Sequence, residues 1–197
     1  MNVRPLSCRL LALSFLLAAN IGAAAPAKLE VCVACHGEDG EGVGFDYVPI
    51  IAGTPAAHLE EALYAYQDGA RKCVGVPVMC EAISTLSDAE IVGLADYFSS
   101  LPRISSDEPF DSRLARDGEL IHAEHCAMCH VSPDDANAED ALGIPLNGQR
   151  TAYLRLALGA YMTGDRDTLV PSMAEKIALL DPGKIEALVN YYASYKQ

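Results

Sequence analysis

Two five-residue segments of this chain carry the residue types for covalent attachment of an iron porphyrin: Cys32-Val33-Ala34-Cys35-His36 and Cys126-Ala127-Met128-Cys129-His130. C-x-x-C-H is the attachment signature of c-type haem. Each thiol can add to one vinyl group of the porphyrin, and the adjoining His presents a ring nitrogen to the iron. Two intervening residues let one helical turn set both sulfurs and the imidazole against a single macrocycle. Cys32, Cys35, Cys126 and Cys129 are the candidate attachment residues, with His36 and His130 as candidate proximal ligands. Structural zinc would gather four ligands at short spacing, whereas these pairs stand 94 residues apart.

A methionine follows each motif at the same distance: His36 to Met79 is 43 residues, and His130 to Met173 is also 43. A thioether suits haem iron opposite a His, and His/Met ligation raises the potential. Of the five methionines, Met1 and Met162 have no counterpart in this register, and Met128 lies inside a motif. Met79 and Met173 are therefore the expected distal ligands. No catalytic residue is expected, because two six-coordinate irons leave no open position for substrate.

The methionines belong to a wider internal repeat. Leu59, Ala62, Leu63, Tyr66, Gly69 and Arg71 recur 95 residues later as Leu154, Ala157, Leu158, Tyr161, Gly164 and Arg166. After a one-residue slip the offset is 94, pairing Met79, Leu86, Ile91, Leu94, Tyr97 and Phe98 with Met173, Leu180, Ile185, Leu188, Tyr191 and Tyr192. One module is written twice. The expected division is a signal peptide over 1–25, a first domain over 26–101, a polar linker over 102–111 and a second domain over 112–197.

The elements that must position these ligands read as helices. A short helix is expected from about Ala27 into the first motif, and a longer one from Asp111 into the second. Amphipathic helices follow over about Pro55–Asp68 and Thr151–Thr163. Ser87-Asp88-Ala89-Glu90 is a capping box, and Asp181-Pro182 is an N-cap followed by Pro at the first helical position. Ile91, Leu94, Ala95 and Phe98 mark one buried face, with Ile185, Leu188, Val189 and Tyr192 on its counterpart. Gly37, Gly40, Gly42 and Gly44 allow a tight wrap after the first motif. The P-loop reading of those glycines fails for want of Lys-Ser/Thr. The second loop is acidic instead, Ser132-Pro133-Asp134-Asp135, so the two haems are expected to differ in potential.

Arg4, Arg9, the apolar stretch Leu10 to Ala19 and the small residues Gly22 to Ala25 read as a secretory signal, cleaved near Ala24 or Ala25. Export to the periplasm fits c-type haem attachment. Of seven cysteines, Cys8 leaves with the signal and four serve haem, which leaves Cys73 and Cys80. In an oxidising compartment a disulfide between them is the leading reading, and the competing one has Cys80 as a thiolate ligand in place of Met79. The net charge of −13 argues against nucleic-acid partners and suits docking to basic patches on redox proteins. His58, His122 and His125 lack repeat partners and read as surface residues. Pro49 and Pro145 are positioned to orient the proximal histidines through their carbonyls.

On the paired motifs, Ile51-Ala52-Gly53, Asn147-Gly148-Gln149, Gly69-Ala70-Arg71, Met79, Leu86-Ser87-Asp88-Ala89-Glu90-Ile91 and Leu94-Ala95-Asp96-Tyr97, the chain resembles dihaem class I cytochromes c. It is most similar to the cytochrome c4 family. The resemblance implies an all-α chain of two tandem class I cytochrome c domains related by pseudo-twofold symmetry, with two covalently attached haem c groups. It also implies that residues at the Gly-x-Arg position lie beside haem propionates, where Arg71 and Arg166 either donate hydrogen bonds or stand as exposed charges. The expected function is a periplasmic carrier passing electrons between redox partners, a flavoprotein or a terminal oxidase among them, rather than an enzyme. The cytochrome subunit of flavocytochrome c sulfide dehydrogenase shares the two-module plan. The alternative is therefore the electron-accepting subunit of a sulfur-compound dehydrogenase complex. The Cys73/Cys80 pair departs from the ordinary cytochrome c4 pattern.

Overall fold

The computed structural model describes residues 25–135, 138 and 141–196. Of the expected signal segment 1–25, with cleavage near Ala24 or Ala25, all but Ala25 lies outside the described residues. Eight α-helices are formed among them: α1 (Leu29–His36), α2 (Ala56–Gln67), α3 (Pro77–Ile83), α4 (Asp88–Ser100), α5 (Ser112–His125), α6 (Thr151–Thr163), α7 (Pro171–Ile177) and α8 (Pro182–Ala193). No strand occurs among the described residues, where the only β-type pairing is an isolated antiparallel bridge between Arg71 and Arg166.

Local signals set most of the helix starts. At α4 one oxygen of Glu90 accepts from both the Ser87 N–H and the Ser87 hydroxyl, at 2.8 Å each, which satisfies an otherwise orphaned donor. Asp181 accepts from the Lys184 N–H at 3.0 Å and Pro182 takes the first turn of α8. Asp111 caps α5 by accepting from the Arg113 and Leu114 N–H groups. The short helices α3 and α7 were not expected. Both begin with a proline, pre-set for the first helical position, and each carries one of the repeat methionines as its third residue.

Helices α2, α3 and α4 pack together, as do α5, α6 and α8. On α4 the expected face is buried throughout: Ile91, Leu94, Ala95 and Phe98 are at most 3% exposed. On α8 Leu188, Val189 and Tyr192 join Leu154 of α6 in one cluster. Ile185 differs from expectation, being only half-buried at its edge. Each such side chain contributes roughly 1.5–3 kcal/mol. The α5–α8 crossing is closest at Gly118, where a Cβ would fall 2.1 Å from the Ala187 carbonyl oxygen. Nothing larger than hydrogen fits there.

The two modules pack directly on one another. The Lys72 N–H donates to the Asp165 carbonyl at 2.8 Å and the Asp167 N–H to Ala70 at 2.7 Å, so repeat-equivalent segments meet antiparallel. A residue meeting its own counterpart in this way is the mark of a twofold relation. Gln149 reaches across to donate to the Ile50 carbonyl at 2.8 Å and to accept from the Ile50 N–H at 2.9 Å. Arg150 donates to the carbonyls of Glu41 and Gly42. The segment between α4 and α5 is also tied down. Arg103 donates to the carbonyls of Pro145 and Asn147, and the Ser106 N–H to Gly148.

Candidate haem-binding sites

In the first module, Cys32, Cys35 and His36 sit at the end of α1, spaced so that one helical face carries all three. His36 is buried, and its Nδ1 lies 3.2 Å from the Pro49 carbonyl oxygen. In the second module α5 stops at His125, one residue before the motif, rather than running through it. The motif instead forms a turn closed by the His130 N–H on the Cys126 carbonyl at 2.9 Å. The His130 ring Nδ1 is 2.8 Å from the Ile144 carbonyl, so the expected Pro145 gives way to its neighbour. One residue more separates motif from loop here, and the carbonyl that meets the ring moves back accordingly.

A carbonyl only accepts, so each Nδ1 carries the proton and each Nε2 keeps its lone pair for a metal. Carbonyl partners of this kind fix ring orientation and raise ligand basicity. Burial pushes both imidazoles below their ordinary pKa, while the carbonyl bonds act in the opposite sense. The Arg71 charge further lowers His36, and His58 further lowers His130. All four motif cysteines are free thiols, with burial pushing Cys32 and Cys126 up. The donor set therefore fits haem attachment: four unpaired thiols and two neutral, pre-oriented imidazoles.

Met79 and Met173 occupy equivalent places, each half-buried and third in a seven-residue helix begun by proline. Their N–H groups close the same turn, on Val76 at 3.2 Å and on Val170 at 3.0 Å. Cys73 and Cys80 are joined in a disulfide around the Met79 loop. The Cys80 sulfur is thereby occupied, which removes the thiolate-ligand reading. The second loop lacks this bond. It also holds Leu169 at φ 55°, where the repeat has Gly75 at φ 81°.

Between the modules Arg71 stacks over Tyr66 at 4.5 Å and Arg166 over Tyr161 at 4.6 Å. Arg71 Nη2 donates to the Tyr153 hydroxyl at 3.2 Å. Burial raises the pKa of that hydroxyl, but the two arginine charges and their hydrogen bonds outweigh it and pull it down to about 7. All three residues read as surface histidines prove otherwise. His122 is buried, with its Nδ1 3.1 Å from the Tyr192 hydroxyl. His58 is half-buried and pairs with Glu61 at 3.7 Å. His125 lies beside Glu124 at 3.7 Å with its side chain only 19% exposed. The sequence held no local signal for Tyr153 or His122, since each acts through a partner at least 70 residues away.

Two helical modules, each offering a free C-x-x-C-H motif and a methionine in a fixed repeat position, define a dihaem class I cytochrome c. No family model matches the chain. Cytochrome c4 of Pseudomonas aeruginosa is 32% identical over 186 residues, covering 87% of this chain and 89% of its own length. The thiosulfate dehydrogenase electron acceptor of Thiomonas intermedia is 28% identical over 187 residues, covering 87% and 82%. Among solved structures, cytochrome c4 of Acidithiobacillus ferrooxidans superposes with a TM-score of 0.71 at 26% identity, covering 84% of this chain and 99% of that one.

The chain belongs to the cytochrome c4 family. It is an all-α protein of two tandem cytochrome c domains, it carries two covalently bound haem c groups, and it transfers electrons rather than catalysing a reaction.

Proposed function

We propose that the protein is a periplasmic electron carrier whose two haems are bound through Cys32/Cys35 and Cys126/Cys129. His36 and Met79 are the axial ligands of the first iron, and His130 and Met173 those of the second. The observation that carries this reading is the matched placement of both ligand pairs. Each histidine has Nδ1 on a loop carbonyl, and each methionine is third in a proline-started helix. The bound haems supply one-electron redox chemistry at the iron. The chain holds the imidazoles neutral and oriented, presents the thioethers, and ties Met79 back through the disulfide. Residues 1–25 serve as the export signal, and 26–101 and 112–197 are the two domains joined by 102–111. The acidic surface steers basic faces of redox partners toward the haem edges.

The test is ligand replacement. Met79→Ala and Met173→Ala should each abolish the Met–iron charge-transfer band of one haem, lower that haem's potential, and spare the other. A Met79→Ala protein whose two haems keep both bands and potentials would overturn the assignment.

A second reading is favoured by the likeness to a thiosulfate dehydrogenase electron acceptor along 87% of the chain. In it, the carrier is the dedicated acceptor of a sulfur-compound dehydrogenase. Stoichiometric co-purification with such an enzyme, and its direct reduction of this protein, would select that role over a free shuttle.

A further inference from the structure

Gln149 of the second module and the Pro49–Ile50 peptide of the first form one hydrogen-bonded chain that ends on a proximal histidine. The His36 ring donates from Nδ1 to the Pro49 carbonyl across 3.2 Å. The N–H on the far side of that same peptide group belongs to Ile50, and it donates to Gln149 Oε1 at 2.9 Å. Gln149 closes the contact by donating from Nε2 to the Ile50 carbonyl at 2.8 Å. The Arg150 N–H also converges on Oε1, at 2.9 Å. Two donors can meet only the oxygen of an amide, so the side chain has one orientation.

A peptide group passes polarisation from one end to the other, because its C–N bond has partial double-bond character. An acceptor on the Ile50 N–H therefore pushes electron density onto the Pro49 oxygen and makes it a stronger acceptor for the His36 proton. Ile50 is buried, and hydrogen bonds in such surroundings strengthen one another. The second module cannot do the same. His130 donates to the Ile144 carbonyl, and the residue on the far side of that peptide is Pro145. Proline has no N–H, so that peptide offers no donor to a partner.

We infer that Gln149 is a cross-module positioning residue that acts on His36 through the Pro49–Ile50 peptide, so that a side chain of the second domain sets the reduction equilibrium of the first haem. A stronger carbonyl acceptor draws on the Nδ1 proton and makes the ring a better donor through Nε2, which favours ferric iron. Removing the Gln149 amide relaxes that bias toward the reduced state. The inference rests on the ligand reading above.

The experiment is a redox titration of the full haem-loaded protein, with the two haems resolved by their methyl proton shifts. Gln149→Leu keeps most of the side-chain bulk and removes the amide. It should raise the reduction equilibrium constant of the first haem by about two- to threefold, a modest change because cooperative strengthening is only about 10–30% of a hydrogen bond. The second haem should not move. In the reduced protein the His36 Nδ1 proton should shift upfield as its bond weakens, while that of His130 stays in place. Gln149→Met is a second substitution with the same expectation. Tyr153→Phe removes a cross-module hydrogen bond that does not involve Ile50, and it should leave the His36 proton where it is.

An unshifted first haem or an unmoved His36 proton would overturn the proposal. So would equal shifts at both haems, or a Tyr153→Phe protein that reproduces the His36 change, since either marks a loosened interface. A wild-type protein whose first iron lacks His36 sinks the ligand reading. Gln149 variants that keep both Met-ligated haems and move neither signal sink this inference alone.

Discussion

At the scale of the residue, the loops that precede Met79 and Met173 solve one geometric problem with different chemistry. Both need a left-handed turn two residues before their helix-starting proline. The first loop uses Gly75, which adopts φ 81° without a steric penalty, and the second uses Leu169 at φ 55°. A non-glycine residue in that region costs about 1–2 kcal/mol, and Leu169 gains little in return, because it is 56% exposed. Leu169→Gly should therefore leave stability unchanged or raise it by up to about 1 kcal/mol, once the extra freedom of glycine in the unfolded chain is counted. Gly75→Leu should destabilise the first loop. Denaturant melts of the two variants check both signs. Unlike the second loop, the first is closed covalently by Cys73–Cys80, worth about 2–3 kcal/mol in the chain-entropy account.

At the scale of the element, the α5–α8 pair carries a titratable contact that the first module lacks. His122 on α5 is wedged among Tyr191 and Tyr192 of α8, ring centroids 5.1 and 5.6 Å away, and burial pushes its pKa below the ordinary 6.5. A base with a depressed folded pKa is neutral in the native state while its unfolded form takes up a proton. The contribution is thus complete above pH 6.5 and is lost as pH falls through 6.5 toward the folded pKa. Each unit of depression is worth about 1.4 kcal/mol. Thermal melts between pH 7.5 and 5 should show the second module losing stability on acidification, and His122→Gln should flatten that slope. In the first module the corresponding aromatic position on α4 is Phe98, whose neighbour is the His36 ring itself at 6.5 Å.

At the scale of the molecule, the modules are joined by polar contacts. Gln149 meets both the N–H and the carbonyl of Ile50 with its amide, and the Arg71–Arg166 bridge ties the roots of both methionine loops to one short pairing. Each loop leaves that bridge directly, so Met79 and Met173 share an anchor. Gln149→Ala removes both bonds and strands the Ile50 backbone groups, at a cost of about 1–3 kcal/mol. Calorimetry should then resolve two transitions where the wild type melts in one. A single unshifted transition would show that the bridge and Arg150 suffice without it.

The cofactor and the doubled plan were legible in the chain because they rest on short-range rules. A C-x-x-C-H turn, a capping box and a 43-residue interval each read the same wherever the chain goes. The buried face of α4 was legible for the same reason, since helical periodicity is local. The tertiary structure alone decided which carbonyl meets the His130 ring, whether His122 is wet or dry, and that Tyr153 answers to Arg71. Each of those depends on which distant segment arrives beside the residue, and a one-residue difference in loop length is enough to exchange Pro145 for Ile144. The sequence determined that there are two haem modules and wrote the same C-x-x-C-H motif into each. The packing of one module on the other decided how each site feels its neighbour, because charge and hydrogen bonding act through space rather than along the chain.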